Sequence, residues 1–271
     1  MTLTLDWSAQ AGALRAGIFA GVLVLLLAAE ARWPRRAGAM RRGLRWGANL
    51  PLVVLDALAT RLLVPLGAVG VAAWAQARGI GLLPALHAAP LAAGAIAFVA
   101  LDGVIYWQHR LFHGVPVLWR LHRVHHSDVE FDATTALRFH PGEIVLSMGV
   151  KMLAVAALGA PVAAVIAFEV ALNASAMFNH ANVRLPPALD AALRRVVVTP
   201  DMHRVHHSVL RAEHDRNYGF NLAWWDRLFG TYTAQPRDAH AVMPIGLDHH
   251  RADPEQRLWA LLRQPLDPQD R

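Results

Sequence analysis

Apolar residues run along this chain in long stretches separated by short polar loops. A hydrocarbon core of about 30 Å takes roughly 20 helical residues to cross. Residues 11–29 suffice, with Arg15 as their one charge, near the start. Residues 50–75 are long enough but hold Asp56 and Arg61. A charge at mid-bilayer costs on the order of 2.5–3.5 kcal/mol, so these two are expected to pair or to face the bundle interior. Residues 90–107 form a third stretch, containing Asp102. Residues 144–158 and 162–178 form a fourth and fifth, split at Gly159-Ala160-Pro161 as in a helical hairpin. A cleaved leader is the competing reading of the first stretch. Against it, the N-terminus carries Asp6 rather than a basic region, and no clear small-x-small site precedes the arginines. After His180 the apolar runs stop. Residues 188–198 are expected as a surface amphipathic helix with Arg194 and Arg195 on its polar face, and 253–262 as another short helix. The pattern predicts an all-α, multi-pass transmembrane helical bundle of four or five spans.

Composition agrees with the pattern. Hydrophobic residues are 55% and charged residues 17%, where a soluble chain carries about 25% charged. Disorder and an ordinary soluble domain are both disfavoured. Cysteine is absent, which excludes a disulfide framework, a thiolate metal site and a cysteine nucleophile. The net charge of +6 invites a nucleic-acid reading, but Lys151 is the only lysine and the arginines flank apolar runs. That distribution fits membrane orientation, with no nucleic-acid partner. Arg32, Arg35, Arg36, Arg41, Arg42 and Arg45 lie between the first two stretches, which places that loop in the cytoplasm. Alternation of sides then puts every histidine cluster on the cytoplasmic face. His87 alone falls on the other side, as a surface or interfacial residue. The expected location is a bacterial inner membrane with the active site facing the cytoplasm.

The chemistry lies in the 15 histidines. His109 and His113 are spaced HxxxH. His122, His125 and His126 are spaced HxxHH, and so are His203, His206 and His207. Helical neighbours at i+3 and i+4 share a face, so each segment is expected to aim its imidazoles at one point. A given HxxHH arises by chance roughly 0.05 times in such a chain, and here it occurs twice. Eight imidazoles exceed the roughly four to six ligands of one ion, which points to two metals. Nitrogen ligation suits iron, copper or zinc better than magnesium or calcium. Copper(I) would be expected to recruit Cys or Met, and neither sits in the three segments.

With these boxes on a multi-spanning chain, the sequence resembles the fatty acid hydroxylase superfamily, which includes the sterol desaturases and alkylglycerol monooxygenase. The likeness extends through Asp102-Gly-Val-Ile-Tyr-Trp-Gln-His-Arg-Leu-Phe-His113, Arg138-Phe-His-Pro-Gly-Glu143, Phe178-Asn-His-Ala-Asn182 and Thr199-Pro-Asp-Met-His-Arg-Val-His-His207. It continues in Asn217-Tyr-Gly-Phe-Asn221 and Trp225-Asp-Arg-Leu-Phe-Gly-Thr231, and covers about residues 95–235. The first two helices match only in general character. The motifs are specific for the superfamily and poorly specific for the substrate. The resemblance implies three regions: N-terminal membrane helices with the arginine-rich loop (1–90), a catalytic domain (91–235) and a cytosolic tail (236–271). It implies two non-haem iron ions on the cytosolic face, using O2 to hydroxylate or desaturate a lipid. It implies His109, His113, His122, His125, His126, His203, His206 and His207 as ligands, with His180 matching an additional family histidine. His140 matches a His-Pro feature of part of the superfamily, so ligation and a supporting role both stay open. His214, His240, His249 and His250 read as variable surface positions.

A ligating imidazole normally passes its other N–H to a carboxylate or carbonyl. Asp102 lies seven residues before His109, nearly on the same helical face and about 10 Å deeper. It and Asp226 rank first as functional carboxylates, ahead of Asp128, Glu143 and Asp201; a purely structural role for Asp102 is equally open. The reaction needs two electrons, yet the chain has no Cys ligands for iron–sulfur and no GxGxxG fingerprint. His140-Pro-Gly-Glu143 is similar to the haem-ligating turn of a small b-type cytochrome domain, but it leads straight into an apolar helix and leaves no room for one. A separate donor is therefore expected: a ferredoxin, cytochrome or reductase docking on the arginine-rich face. The leading expectation is an integral-membrane di-iron lipid hydroxylase or desaturase. Competing classes are a non-catalytic membrane metal-binding or transport protein, a catalytically dead relative and a His-rich soluble hydrolase.

Overall fold

The computed structural model describes residues 7–36 and 42–268; Asp6 and Arg41 lie outside them. Among the described residues no strand forms, only three isolated bridges. In chain order the helices are α1 (Trp7–Arg32), α2 (Arg42–Leu63), α3 (Gly67–Arg78), α4 (Leu82–Ala85), α5 (Pro90–Gly114) and α6 (Pro116–His126). After a 3-10 turn (Ala133–Leu137) come α7 (Pro141–Leu158), α8 (Val162–His180), α9 (Pro187–Leu193), α10 (Pro200–His206), α11 (Arg211–His214), α12 (Trp224–Leu228) and α13 (Leu258–Arg263). Among the described residues five stretches are long and apolar enough to cross a membrane: Gly12–Arg32, Arg42–Ala85, Pro90–Gly114, Pro141–Leu158 and Val162–His180. The protein is an all-α, integral multi-pass membrane protein.

Proline opens five of the helices. Pro90, Pro116, Pro141, Pro187 and Pro200 open their helices, where a missing N–H costs nothing. The expected hairpin is present: α7 stops at Gly159, whose φ of 62° is left-handed, and α8 starts after Pro161. That tip packs tightly on the α3–α4 connection, and a Cβ at Gly159 would lie 2.4 Å from the Ile80 carbonyl oxygen. The expected span over 50–75 lies within the Arg42–Ala85 stretch but is not one continuous helix. Helix α2 ends at Leu63 and α3 starts at Gly67, because Pro65 has no N–H to continue the ladder. Asp56 is buried while Arg61 is exposed; at i+5 they leave the helix about 140° apart, and no pair forms.

Four membrane helices share one core. Ala72 of α3, Ala97 and Leu101 of α5, Val155 of α7, and Val165 and Phe168 of α8 pack together. Helix α1 touches the bundle through α8, with Phe19, Val22 and Leu23 against Ala176 and Met177. Its far end is clasped by Glu30, whose Oε1 accepts from Ala133 N at 2.7 Å and Asn182 N at 2.8 Å.

Arginines of the α1–α2 connection and of the first turn of α2 act as clasps. Arg45 is fully buried, donating to Asp128 at 2.6 and 2.8 Å and to Asp132 at 2.6 Å. Arg35 pairs with Asp201, and Arg36 donates to the carbonyls of His240 and Met243. The C-terminal segment is clamped too: Leu261 of α13 packs on Ala48, Leu52 and Val124, and Gln256 donates to the Ser127 carbonyl at 3.0 Å. Two short-helix expectations need correction. The 188–198 helix stops at Leu193, and Arg194 is buried beside Asp190 rather than solvated. The 253–262 helix is a 3-10 turn (Asp253–Gln256) followed by α13.

Candidate metal centre

One residue, Val115, separates α5 from α6. Pro116 forces a corner there, and the HxxxH face of α5 meets the HxxHH face of α6. His109 Nε2 comes within 3.1 Å of His122 Nε2. Helix α10 enters from the other side, with Thr199 capping it by accepting from Met202 N. The last turn of α8 adds His180.

Nine imidazoles gather in two groups. His109, His113, His122, His126 and His206 form one; His125, His180, His203 and His207 form the other. Within each group the nitrogens lie within 4.8 Å of one another, and all nine rings are buried. The expectation that each HxxHH segment serves a single point is corrected. Adjacent residues leave a helix about 100° apart, so His125 and His126 go to different groups. His122 and His126, at i and i+4, stay together, as do His203 and His207.

Hydrogen bonds fix the state of five rings. A carbonyl or carboxylate oxygen only accepts, so the nitrogen facing it carries the proton. His109 Nδ1 donates to the Tyr218 carbonyl at 2.8 Å, His206 Nδ1 to the Arg216 carbonyl at 2.7 Å and His180 Nδ1 to the Ala176 carbonyl at 2.6 Å. His122 Nδ1 donates to Glu143 Oε1 at 2.7 Å and His113 Nδ1 to Asp215 Oδ1 at 3.2 Å. In the neutral rings every Nε2 of these five is then a bare lone pair. The Nε2 atoms of His109 and His122 face each other. Those of His113, His126 and His206 are buried with no partner. In the second group the Nε2 atoms of His125, His203 and His207 stand 3.0–3.1 Å from His180 Nε2. His180 Nε2 has one lone pair and can accept from only one of these three, so ring nitrogens crowd one another in both groups unless a cation lies between them, and the donor set fits one metal ion in each group.

Burial also keeps the cap uncharged. It holds His122 down at about 3, and burial among neighbouring imidazoles holds His125, His126, His203, His206 and His207 well below the ordinary histidine value. Neutral imidazole is the ligating form. Beneath them, Asp128 sits at about 2: burial pushes it up, but the Arg45 guanidinium outweighs that.

The carboxylates ranked first in the sequence do not touch the rings. Asp102 accepts from Asn221 Nδ2 at 2.8 Å, Leu222 N at 3.0 Å and Trp225 Nε1 at 2.9 Å. Asp226 accepts from Tyr218 N and Gly219 N, each at 2.8 Å, and from Thr231 Oγ1 at 2.7 Å. Both shape the 217–226 turn, whose Tyr218 carbonyl receives His109. The ring-bound carboxylates are Glu143 and Asp215, and no spacing rule marked Asp215. His140 caps α7, accepting from Gly142 N at 3.0 Å, and its other nitrogen faces the Leu262 carbonyl, apart from both groups. His214 is not a surface residue: it is buried, stacked on Trp119 with centroids 5.3 Å apart, and grouped with His113 and Asp215. His240 and His250 are buried as well; His249 is half-buried and His87 exposed.

Below the first group lies a cavity of about 550 Å³ between the membrane helices, within the usual range for a small-molecule site. His109 and His122 form part of its wall, with Phe19, Phe112, Phe139, Leu172 and Phe220 as apolar lining. In the same wall, Glu169 binds both Arg15 and Lys151.

The family described as "Fatty acid hydroxylase" matches residues 94–231. An ornithine lipid hydroxylase, OlsE of Rhizobium tropici, is 33% identical over 141 residues, 52% of this chain and 42% of that protein. Alkylglycerol monooxygenase of Homo sapiens is 34% identical over 143 residues, 51% of this chain and 30% of that protein. A very-long-chain aldehyde decarbonylase, GL1-5 of Oryza sativa subsp. indica, is 29% identical over 164 residues, 56% of this chain and 24% of that protein. The matched part thus spans less than half the length of these curated relatives. No solved structure matches the chain.

Proposed function

Because this chain belongs to the fatty acid hydroxylase family, we propose that it is an O2-dependent lipid hydroxylase holding two non-haem iron ions, with desaturation as the close chemical variant. The observation that carries this reading is the convergence of Nε2 atoms in two buried groups, the first of them at the wall of a membrane cavity. His109, His113, His122, His126 and His206 would hold one ion, and His125, His180, His203 and His207 the other. Bound there, iron supplies the one-electron chemistry that activates O2 toward an unactivated C–H bond. The overall balance is R–H + O2 + 2 e⁻ + 2 H⁺ giving R–OH + H2O. The electrons come from a separate protein donor, a ferredoxin, cytochrome or reductase.

The chain's own groups have definite tasks. Glu143, Asp215 and the carbonyls of Tyr218, Arg216 and Ala176 fix the tautomer and aim of five rings. Burial excludes water and keeps the imidazoles neutral. The apolar wall takes the lipid chain. Arg35 and Arg36 lie at the histidine end of the bundle, bound to Asp201 and to the His240 carbonyl. That supports a cytoplasmic, inner-membrane face for the site. The names of the relatives support a lipid as substrate.

The test is metal analysis and oxygen uptake on the purified chain, with lipid extract and a chemical reductant, beside a His206→Ala variant. Two irons per chain and lipid-dependent uptake yielding a product 16 Da heavier are expected, with His206→Ala inactive. Tightly held zinc without oxygen uptake would replace this reading with a non-catalytic metal-binding protein.

A further inference from the structure

The cavity wall under the first histidine group carries charged residues as well as apolar ones. Asp56 of α2 and Glu143 of α7 both line it, and they are only 6% and 4% exposed. Each keeps one carboxylate oxygen, Asp56 Oδ1 and Glu143 Oε2, with no hydrogen-bond partner. A buried acceptor without a donor bears its full desolvation cost. Arg15 and Lys151 line the same cavity but do not supply one. Both are engaged by Glu169, and Lys151 lies eight residues, about 12 Å, further along α7 than Glu143. A plain hydrocarbon chain would leave these oxygens unsatisfied. An occupant with N–H or O–H groups would satisfy them.

We propose that the cavity selects a lipid bearing a hydrogen-bond-donating polar group, an amine or a hydroxyl, seated between Asp56 and Glu143. This rests on the reading of the cavity as the substrate site. It also sets the direction of binding. Glu143 holds His122 through its other oxygen, so the polar group sits beside the first histidine group. The carbon offered to the centre then belongs to the head-proximal part of the lipid, and the apolar remainder lies along Phe19 and Leu172.

The experiment measures binding without turnover. Hexadecan-1-ol, hexadecylamine and 1-methoxyhexadecane are titrated onto the full chain in nanodiscs, and occupancy is read by native mass spectrometry. The three share an alkyl chain, and only the ether lacks a donor. The alcohol or the amine is expected to bind at least tenfold more tightly than the ether, and Asp56→Leu should bring all three within about twofold. Asp56→Asn keeps an acceptor and loses the charge, so it should retain any preference for the alcohol and lose any extra preference for the amine; this separates a neutral from a cationic head. Equal binding of the ether and both donors by the unaltered chain overturns the proposal, whether or not the variants fold. Discrimination without oxygen uptake would sink the oxygenase reading and leave this one standing; uptake without discrimination would do the reverse.

Discussion

Glu143 Oε1 accepts the Nδ1 proton of His122 at 2.7 Å, and both side chains are buried in the cavity wall. A carboxylate in this position raises the basicity of the ring and fixes its orientation. Loss of such a partner typically lowers metal affinity about 10- to 100-fold. Glu143→Leu is therefore expected to lose iron to a chelator in that range relative to the unaltered chain. Glu143→Gln keeps an acceptor for Nδ1 and should fall between the two. Chelator competition followed by metal analysis decides; equal retention by all three would show that His122 needs no partner.

His125 and His126 are neighbours in sequence but belong to different groups. Changing both members of an i,i+4 pair should empty one group and spare the other. His122→Ala with His126→Ala is expected to leave about one iron per chain, and so is His203→Ala with His207→Ala. His125→Ala with His126→Ala strikes both groups and should lower both occupancies. A double substitution within one group that removed all iron would mean a single shared site.

Much of this arrangement was legible before any coordinates. Long apolar runs marked the membrane helices, because length and hydropathy alone decide a crossing. Proline and glycine marked the α7–α8 tip for the same local reason. Helical spacing picked out eight of the nine gathered rings, and the family resemblance supplied His180. What stayed hidden was long-range. The division of His125 from His126 depends on how α6 meets α10 and α8. Asp102 and Asp226 are acids near the boxes in sequence, yet they serve backbone amides of a turn whose path no periodicity reveals. His214 read as surface because a lone histidine in a polar segment carries no sign that Trp119 covers it.

The neutral rings impose a pH dependence on the metal-free protein. His122 is held at about 3 in the fold and its buried neighbours well below the ordinary value, while the unfolded chain titrates near 6.5. Below that value the unfolded state binds more protons, so stability falls as pH falls. Each such ring contributes a slope of about 1.4 kcal/mol per pH unit between the two values. Asp128, held at about 2, contributes stability that is lost only at lower pH, below the usual carboxylate value near 3.8. The melting temperature of the metal-free protein in detergent should be level above pH 7 and drop steeply from about 6.5 downward. A level profile to pH 5 would show that the cap opens to water without its metal.

Arg45 is the buried cation of a network with Asp128 and Asp132, directly behind α6. Removing one partner of a buried pair typically costs about 3–5 kcal/mol. Arg45→Met is expected to lower the melting temperature sharply with iron bound or removed, whereas Arg42→Met, at an exposed position, should leave it unchanged. Equal melting of both variants would mean that the 42–45 arginines serve orientation alone.

Asp226 tests whether a carboxylate remote from the rings still governs them. It holds Tyr218 N, Gly219 N and Thr231 Oγ1. Burial pushes it above the ordinary carboxylate value, against the pull of those bonds. The turn has little slack: a Cβ at Gly219 would lie 2.7 Å from Asp226 Oδ2. In Asp226→Asn one oxygen becomes an amide NH2, which cannot accept, so one of the two backbone amides loses its acceptor and the turn must shift. The Tyr218 carbonyl moves with it and loosens its hold on His109 Nδ1. His109 belongs to the first group alone, so iron retention there should fall about tenfold, the lower end of the range for an indirect partner. The second group should keep its ion. Iron counts after graded chelation distinguish this from general unfolding, which would release both ions together, and unchanged retention at both groups would show that the turn holds its shape without the acid.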